Sequence, residues 1–243
     1  MSKRLRNKKV RAMLKSLWIS KQRMRIFGEI PSPLYRVFDN REHAEAFCAG
    51  SIRFKTLESF KNSEDKVRQD IAEGTAKLSI SGEAIKLDPK TGKGHISEGI
   101  ESFVATTFKD SHFIYCMSLP NNGLPLQALS KFGQYIVKVN DPINFLLKVS
   151  EAINCDKILN KNAPVFEASR VEYNKGDHLS FKLSKSKVNR IRWTQKPVGY
   201  KEEAEYRLHF NVSSVDPITD SENAYFINVP GGIGDSEIIE FAP

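Results

Sequence analysis

Three residues near the C-terminal end, Glu203, Glu205 and Arg207, follow one another at intervals of two. The run Glu205-Tyr206-Arg207-Leu208-His209-Phe210 alternates, so a strand here turns Tyr206, Leu208 and Phe210 to one face and leaves Glu203, Glu205 and Arg207 to share the other. Two carboxylates beside a guanidinium suit a pocket wall. On an exposed edge strand the same residues make only an ion-pair ladder, worth about 0.2–1 kcal/mol. A second arginine, Arg36, interrupts the apolar run Leu34-Tyr35-Arg36-Val37-Phe38. It reads either as a pocket residue or as the ion-pair partner of an acidic cluster further on. That cluster, Glu64, Asp65, Asp70 and Glu73 with Lys66, has the composition of a Mg²⁺ site that orients a water for a nuclease. A helix over 64–73, however, spreads these carboxylates around its surface. His43, His95, His112, His178 and His209 show no ligand spacing, and no metal site is expected from them.

The elements that must position these residues are legible in outline. Leu34 to Phe38 is suited to a strand. Asp39 or Asn40 caps a helix that carries Ala44, Phe47 and Cys48 on one face and ends at Gly50, and a short strand follows over Ser51 to Lys55. Lys77 to Leu87 alternates weakly and reads as a strand or a hairpin near Ser81-Gly82. Asp88 to Gly99 is rich in glycine and polar residues and reads as a surface loop; Lys93 lacks the following Ser or Thr of a phosphate loop. Phe103 to Thr107 is a strand. His112 to Leu119 is a strand apolar enough to lie centrally in a sheet, and Ser118 sits at its end, where sheet residues often face a pocket. A short helix over Leu126 to Phe132 and a strand over Gly133 to Val139 come next. Asp141-Pro142 opens a helix over Ile143 to Ile153. Val165 to Tyr173 reads as one strand, and a short apolar strand over Ile238 to Phe241 closes a turn-rich tail.

Content and charge bound the molecule. The 243 residues, 40% hydrophobic and 10% aromatic, suffice for one sizeable core, which gives one domain, 31–243, and an arm, 1–30. Of the net charge of +8, the arm holds ten basic residues against Glu29, and the rest of the chain is close to neutral. Within the arm Val10, Met13, Leu14, Leu17 and Trp18 form one helical stripe flanked by Lys8, Lys9, Arg11, Lys15 and Lys21, a basic amphipathic helix. Such a helix docks on the body, on nucleic acid, on a membrane surface or on an acidic partner. Residues 174–192 offer a second, weaker basic surface. Cys48, Cys116 and Cys155 are odd in number and far apart, which points away from a disulfide framework and toward a reducing, cytoplasmic compartment. No apolar run is long enough to span a bilayer.

Taken in order, the strand LYRVF, a helix, a glycine, a short strand, ExxxRxDxxEG, a strand ending in cysteine and serine, and KxxxYxxExEYR resembles an uncharacterised bacterial family linked with phage defence. The same order resembles the ADP-ribosyltransferase fold, in particular the branch of toxins that modify nucleic acid. The resemblance implies an α+β domain with a mixed, split β-sheet and flanking helices, using NAD. It implies that Arg36 holds the NAD phosphates or the nicotinamide ribose, that Ser118 lines the nicotinamide pocket, and that Tyr35 or Tyr206 stacks on nicotinamide. Glu205 would be the catalytic glutamate and Glu203 the carboxylate that orients the acceptor. The Ser-Thr-Ser triplet of well-studied members is replaced by Met117-Ser118-Leu119. The implied activity is transfer of ADP-ribose to RNA or single-stranded DNA by a toxin or defence effector, with Lys8, Lys9, Arg11 and Lys15 on the nucleic acid and an antitoxin as a further partner. A metal-dependent nuclease and a non-enzymatic nucleic-acid-binding module are the alternatives.

Overall fold

The computed structural model describes residues 24–57, 59, 75–79, 84–87, 94–97, 102–106, 112–119, 126–159, 164–174, 179–180, 193–212 and 223–241. In chain order these form β1 (Met24–Phe27), β2 (Leu34–Phe38), α1 (Arg41–Cys48), β3 (Ser51–Thr56), β4 (Thr75–Ser79), β5 (Ala84–Leu87), β6 (Gly94–Ser97), β7 (Ser102–Thr106) and β8 (His112–Ser118). A 3₁₀ segment (Leu126–Phe132), β9 (Tyr135–Val139), α2 (Pro142–Cys155), β10 (Phe166–Arg170), β11 (Glu172–Asn174), β12 (Leu179–Ser180) and β13 (Gln195–Pro197) follow. A second 3₁₀ segment (Val198–Glu203), β14 (Glu205–Asn211), β15 (Ala224–Asn228) and β16 (Ser236–Glu240) complete the chain.

The architecture is α+β, built on a mixed but mostly antiparallel sheet of nine strands. Its main path runs β1-β10-β14-β8-β2-β9-β16, and only β1 and β10 run parallel within it. The other pair, β3 and β15, branches off β8. One edge of β8 is therefore shared: Phe113 and Ile114 pair with β3, whereas Ser118 pairs with Tyr35 of β2. Between these points the sheet divides.

Local chemistry accounts for the elements around this division. Asn40 caps α1 by accepting from the His43 backbone N–H, and Asp141 caps α2 by accepting from that of Asn144, with Pro142 in the first turn. Gly50 ends the α1 turn at φ +105°, and a Cβ there would meet the Val229 carbonyl oxygen at 2.3 Å, so only glycine permits β3 to start beside that backbone. Ala44 and Phe47 of α1 and Phe145, Leu146, Val149 and Ile153 of α2 pack against Leu34, Tyr115, Tyr206 and Leu208 of the sheet. Phe47 stacks on Tyr115 and meets Phe145 edge-on. Each fully buried Phe, Leu, Ile or Val side chain among these contributes about 1.5–3 kcal/mol. Both helices thus cover one face, and the polar residues of β14 point to the other.

Several sequence expectations are corrected. Met24–Phe27, assigned to the arm, is a strand of the main sheet, so the body reaches back beyond residue 31. Residues of the Lys77 to Leu87 stretch do not form a hairpin, because β4 pairs with β7 and β12 while β5 pairs with β6. The expected loop over Asp88 to Gly99 contains β6. Val165 to Tyr173 is broken at Val171 into β10 and β11, whereas the short helix expected over Leu126 to Phe132 is present, as 3₁₀. The amphipathic helix of the arm, the acidic cluster 64–73 and most of the basic stretch 174–192 lie outside the described residues. Among the described residues no helix is long and apolar enough to cross a membrane.

Candidate functional site

The site is assembled from β14 outward. Pairing with β10 on one side and β8 on the other makes β14 a central strand, and its register sets Glu205 opposite Ser118 and Arg207 opposite Cys116. The ladder on a solvent-facing edge is therefore ruled out: Glu205 is 7% exposed and Arg207 only 1%. Buried charges need partners, and each has them. Arg207 Nε and Nη2 both lie 3.0 Å from Glu205 Oε2, and Arg207 Nη1 donates to the Trp193 carbonyl at 2.9 Å. Lys196, on β13 and itself 7% exposed, places Nζ 2.7 Å from Glu203 Oε2 and 3.4 Å from Glu205 Oε2, over the ring of Tyr200. The Glu205 backbone N–H donates to the Tyr173 hydroxyl at 2.9 Å.

Glu203 does not belong to the strand. It ends the second 3₁₀ segment, and Ala204 between the two glutamates adopts φ +44°, a left-handed conformation that a residue with a side chain rarely takes. The Ala204 carbonyl is held by the Leu119 N–H at 2.7 Å. This bend puts both carboxylates on one ammonium.

Across from them Arg36 stands at the division of the sheet. Its Nη1 donates to the carbonyl of Cys116, in the interval of β8 that neither β2 nor β3 pairs, so the guanidinium satisfies backbone that the split would leave open. The guanidinium lies over the Tyr115 ring at 4.7 Å, and its buried Nε has no hydrogen-bond partner among the described residues. Arg36, Ser118, Lys196, Glu203 and Glu205 line one cavity of about 110 Å³, closed on other sides by Val37, Met117 and Phe132. Tyr35 and Tyr206 are not among its lining residues. Tyr35 packs with Leu129 and Ile136, and Tyr206 is buried in the core under the helices.

The environments push the two glutamates apart. At Glu205 burial alone would raise the carboxyl, but Arg207 and then Lys196 outweigh it and hold the group well below the usual carboxylate range. Glu203 is raised, first by burial and also by the charge of Glu205, against the pull of Lys196. One carboxylate is thus a fixed anion and its neighbour takes up a proton more readily, the division of labour of an acid–base pair. Cys116 also lines the cavity; burial pushes its thiol strongly upward, so it stays protonated.

Of the residues singled out from sequence, Arg36, Ser118, Glu203 and Glu205 come together here and Tyr35 does not, while Lys8, Lys9, Arg11 and Lys15 lie outside the described residues. Sequence reasoning missed Lys196 and Tyr173. The signal for Lys196 was in KxxxYxxExEYR, whose lysine, two glutamates and arginine form the buried network. No family model, no curated protein and no solved structure matches this chain.

Proposed function

We propose that this cavity takes NAD and that the chain transfers ADP-ribose to a macromolecular acceptor, nucleic acid being the preferred class, as a cytoplasmic toxin or phage-defence effector restrained by a partner protein. The observation that carries the reading is that Arg36 and the Glu203/Glu205 pair, from distant parts of the chain, line one cavity at the split of the sheet. The residues suit the group. Arg36 has a buried Nε–H without a partner among the described residues, open to a phosphate or ribose oxygen, and a guanidinium matches phosphate geometry. The cavity, about 110 Å³ against the roughly 150 Å³ that encloses benzene, has room for part of the nicotinamide or of its ribose, with the rest of the dinucleotide outside.

When bound, NAD supplies a ribose–nicotinamide bond that breaks with its electron pair leaving on nicotinamide, while the acceptor's heteroatom bonds the same ribose carbon and gives up its proton. Glu205, held anionic by Arg207 and Lys196, stabilises positive charge developing on the ribose without having to reorganise. Glu203, the more readily protonated of the two, receives the acceptor's proton. Ser118, opposite Glu205, lines the ring site.

Incubation with NAD labelled in its adenylate part, together with RNA, single-stranded DNA or cell extract, tests the reading. Label is expected on a polymer and is expected to disappear in Glu205→Gln, with circular dichroism showing the variant folded. Label that persists in Glu205→Gln, or no label together with no effect of NAD on the melting temperature, sinks it.

A further inference from the structure

The cavity wall that carries the two glutamates is already matched in charge by the chain itself. Lys196 Nζ reaches both carboxylates, at 2.7 and 3.4 Å, from a side chain only 6% exposed. Arg207 takes the same Glu205 oxygen from behind with two nitrogens. The groups that face the pair from other elements are the Tyr173 hydroxyl of β11, the protonated Cys116 thiol of β8 and the Arg36 guanidinium of β2, none of them an anion. Two carboxylates therefore meet two cations, Lys196 and Arg207, with Arg36 lining the same cavity. An incoming guanidinium or ammonium finds no uncompensated charge, and moving Lys196 aside to make room strands two buried anions.

We propose that Lys196 is a specificity-determining residue: its ammonium occupies from within the protein the place at Glu203 that a cationic acceptor would need, so the site modifies an uncharged nucleophile, a hydroxyl or a base nitrogen, and rejects guanidinium and ammonium groups. This deepens the transferase reading and rests on it. The lysine acts as built-in repulsion against the wrong acceptor, a device that raises selectivity without improving contacts to the right one. Nucleobases and ribose hydroxyls satisfy the requirement, and arginine and lysine side chains do not.

The test uses the full chain with labelled NAD and two acceptor types side by side: single-stranded RNA or DNA, and agmatine, a small guanidinium amine. Wild type is expected to label the polymer and leave agmatine unlabelled, and Lys196→Ala to raise agmatine labelling by about tenfold or more, while Lys196→Arg, which keeps the charge, restores rejection. Agmatine labelled by wild type as readily as the polymer overturns the proposal, and this arm stands even if Lys196→Ala does not fold. A second readout needs no NAD. In protein carrying [¹³C]carboxyl glutamate, with the Glu203 resonance assigned through Glu203→Gln, agmatine should shift that resonance in Lys196→Ala and leave it in place in wild type. A shift of equal size in both proteins, or in neither, overturns it. Absence of label in every arm, with the resonance behaving as expected, instead removes the transferase reading and leaves Lys196 as the group that excludes cations.

Discussion

A buried carboxylate reports on its own environment through acid stability, and Glu205 is the group to follow. Its folded-state value is depressed, so its ionisation stabilises the fold fully above the ordinary value of 4.5 and that contribution is lost as the pH falls through the lower folded value. Glu203 works in the opposite sense: its raised value adds a cost that grows as the pH rises from the ordinary value of 4.5 to the folded value and is constant above it. At neutral pH Glu205→Gln takes an anion from Arg207 and Lys196, and breaking a buried pair costs about 3–5 kcal/mol. The urea midpoint of Glu205→Gln should therefore lie well below that of wild type at pH 7, and the gap should narrow as the pH is lowered from about 5 toward about 2. A gap of constant size over that range would mean that Glu205 does not carry a charge in the folded protein. The carboxylates themselves could be read from their spacing of two, but Lys196 could not be weighed in the same way. A lysine beside polar residues is usually solvated, and only the pairing of β11 with β13, which no local pattern announces, turns it inward.

Three neighbouring strands also share a polar line away from the cavity. Glu167 of β10 lies 3.2 Å from His209 Nδ1 of β14, and His209 Nε2 lies 2.8 Å from His112 Nδ1 of β8. Trp193 stacks flat on the His209 ring at 4.5 Å, and Arg25 of β1 pairs with Glu167 at 3.5 Å. If Glu167 accepts from His209 Nδ1–H, then His209 Nε2 accepts from His112, which fixes both tautomers. Burial lowers the His209 value, Glu167 opposes this and Arg207 adds to it. A histidine depressed in the folded state leaves stability intact above its unfolded value of 6.5 and removes it as the pH falls through that value. The melting temperature of wild type should drop between about pH 7.5 and pH 5 by more than that of His209→Gln, and parallel curves for the two proteins would refute this. At this scale the sequence was most legible where a cap or a strict alternation was present: β2, α1, α2, β8 and β14 fall where their patterns place them. It was least legible for β1, β11, β13 and β15. These strands are three to five residues long, and their membership of a sheet depends on partners more than twenty residues away, so no short window holds the information.

The split sheet and the basic arm answer to different forces, and this makes their contributions separable. The nine-stranded sheet begins at Met24, so removal of residues 1–23 leaves every described strand in place, while it takes away nine lysines and arginines and no acidic residue. The remaining chain is nearly neutral, and affinity for a polyanion that comes from counterion release scales with the number of phosphates neutralised. If the arm provides the nucleic-acid contact, the truncated protein should keep its melting temperature to within a few degrees and lose the steep dependence of single-stranded RNA binding on salt, by about 0.7 in the logarithmic slope for each phosphate contact removed. If the cavity takes NAD as proposed, NAD should raise the melting temperature of the truncated protein as it does that of the full chain, because Arg36, Ser118 and Glu205 all belong to the sheet. A truncated protein whose salt slope equals that of the full chain would place the polyanion surface on the body instead. One that unfolds would show that the amphipathic face of the arm is docked on the sheet, since only burial of Val10, Leu14, Leu17 and Trp18 gives the arm a share in stability.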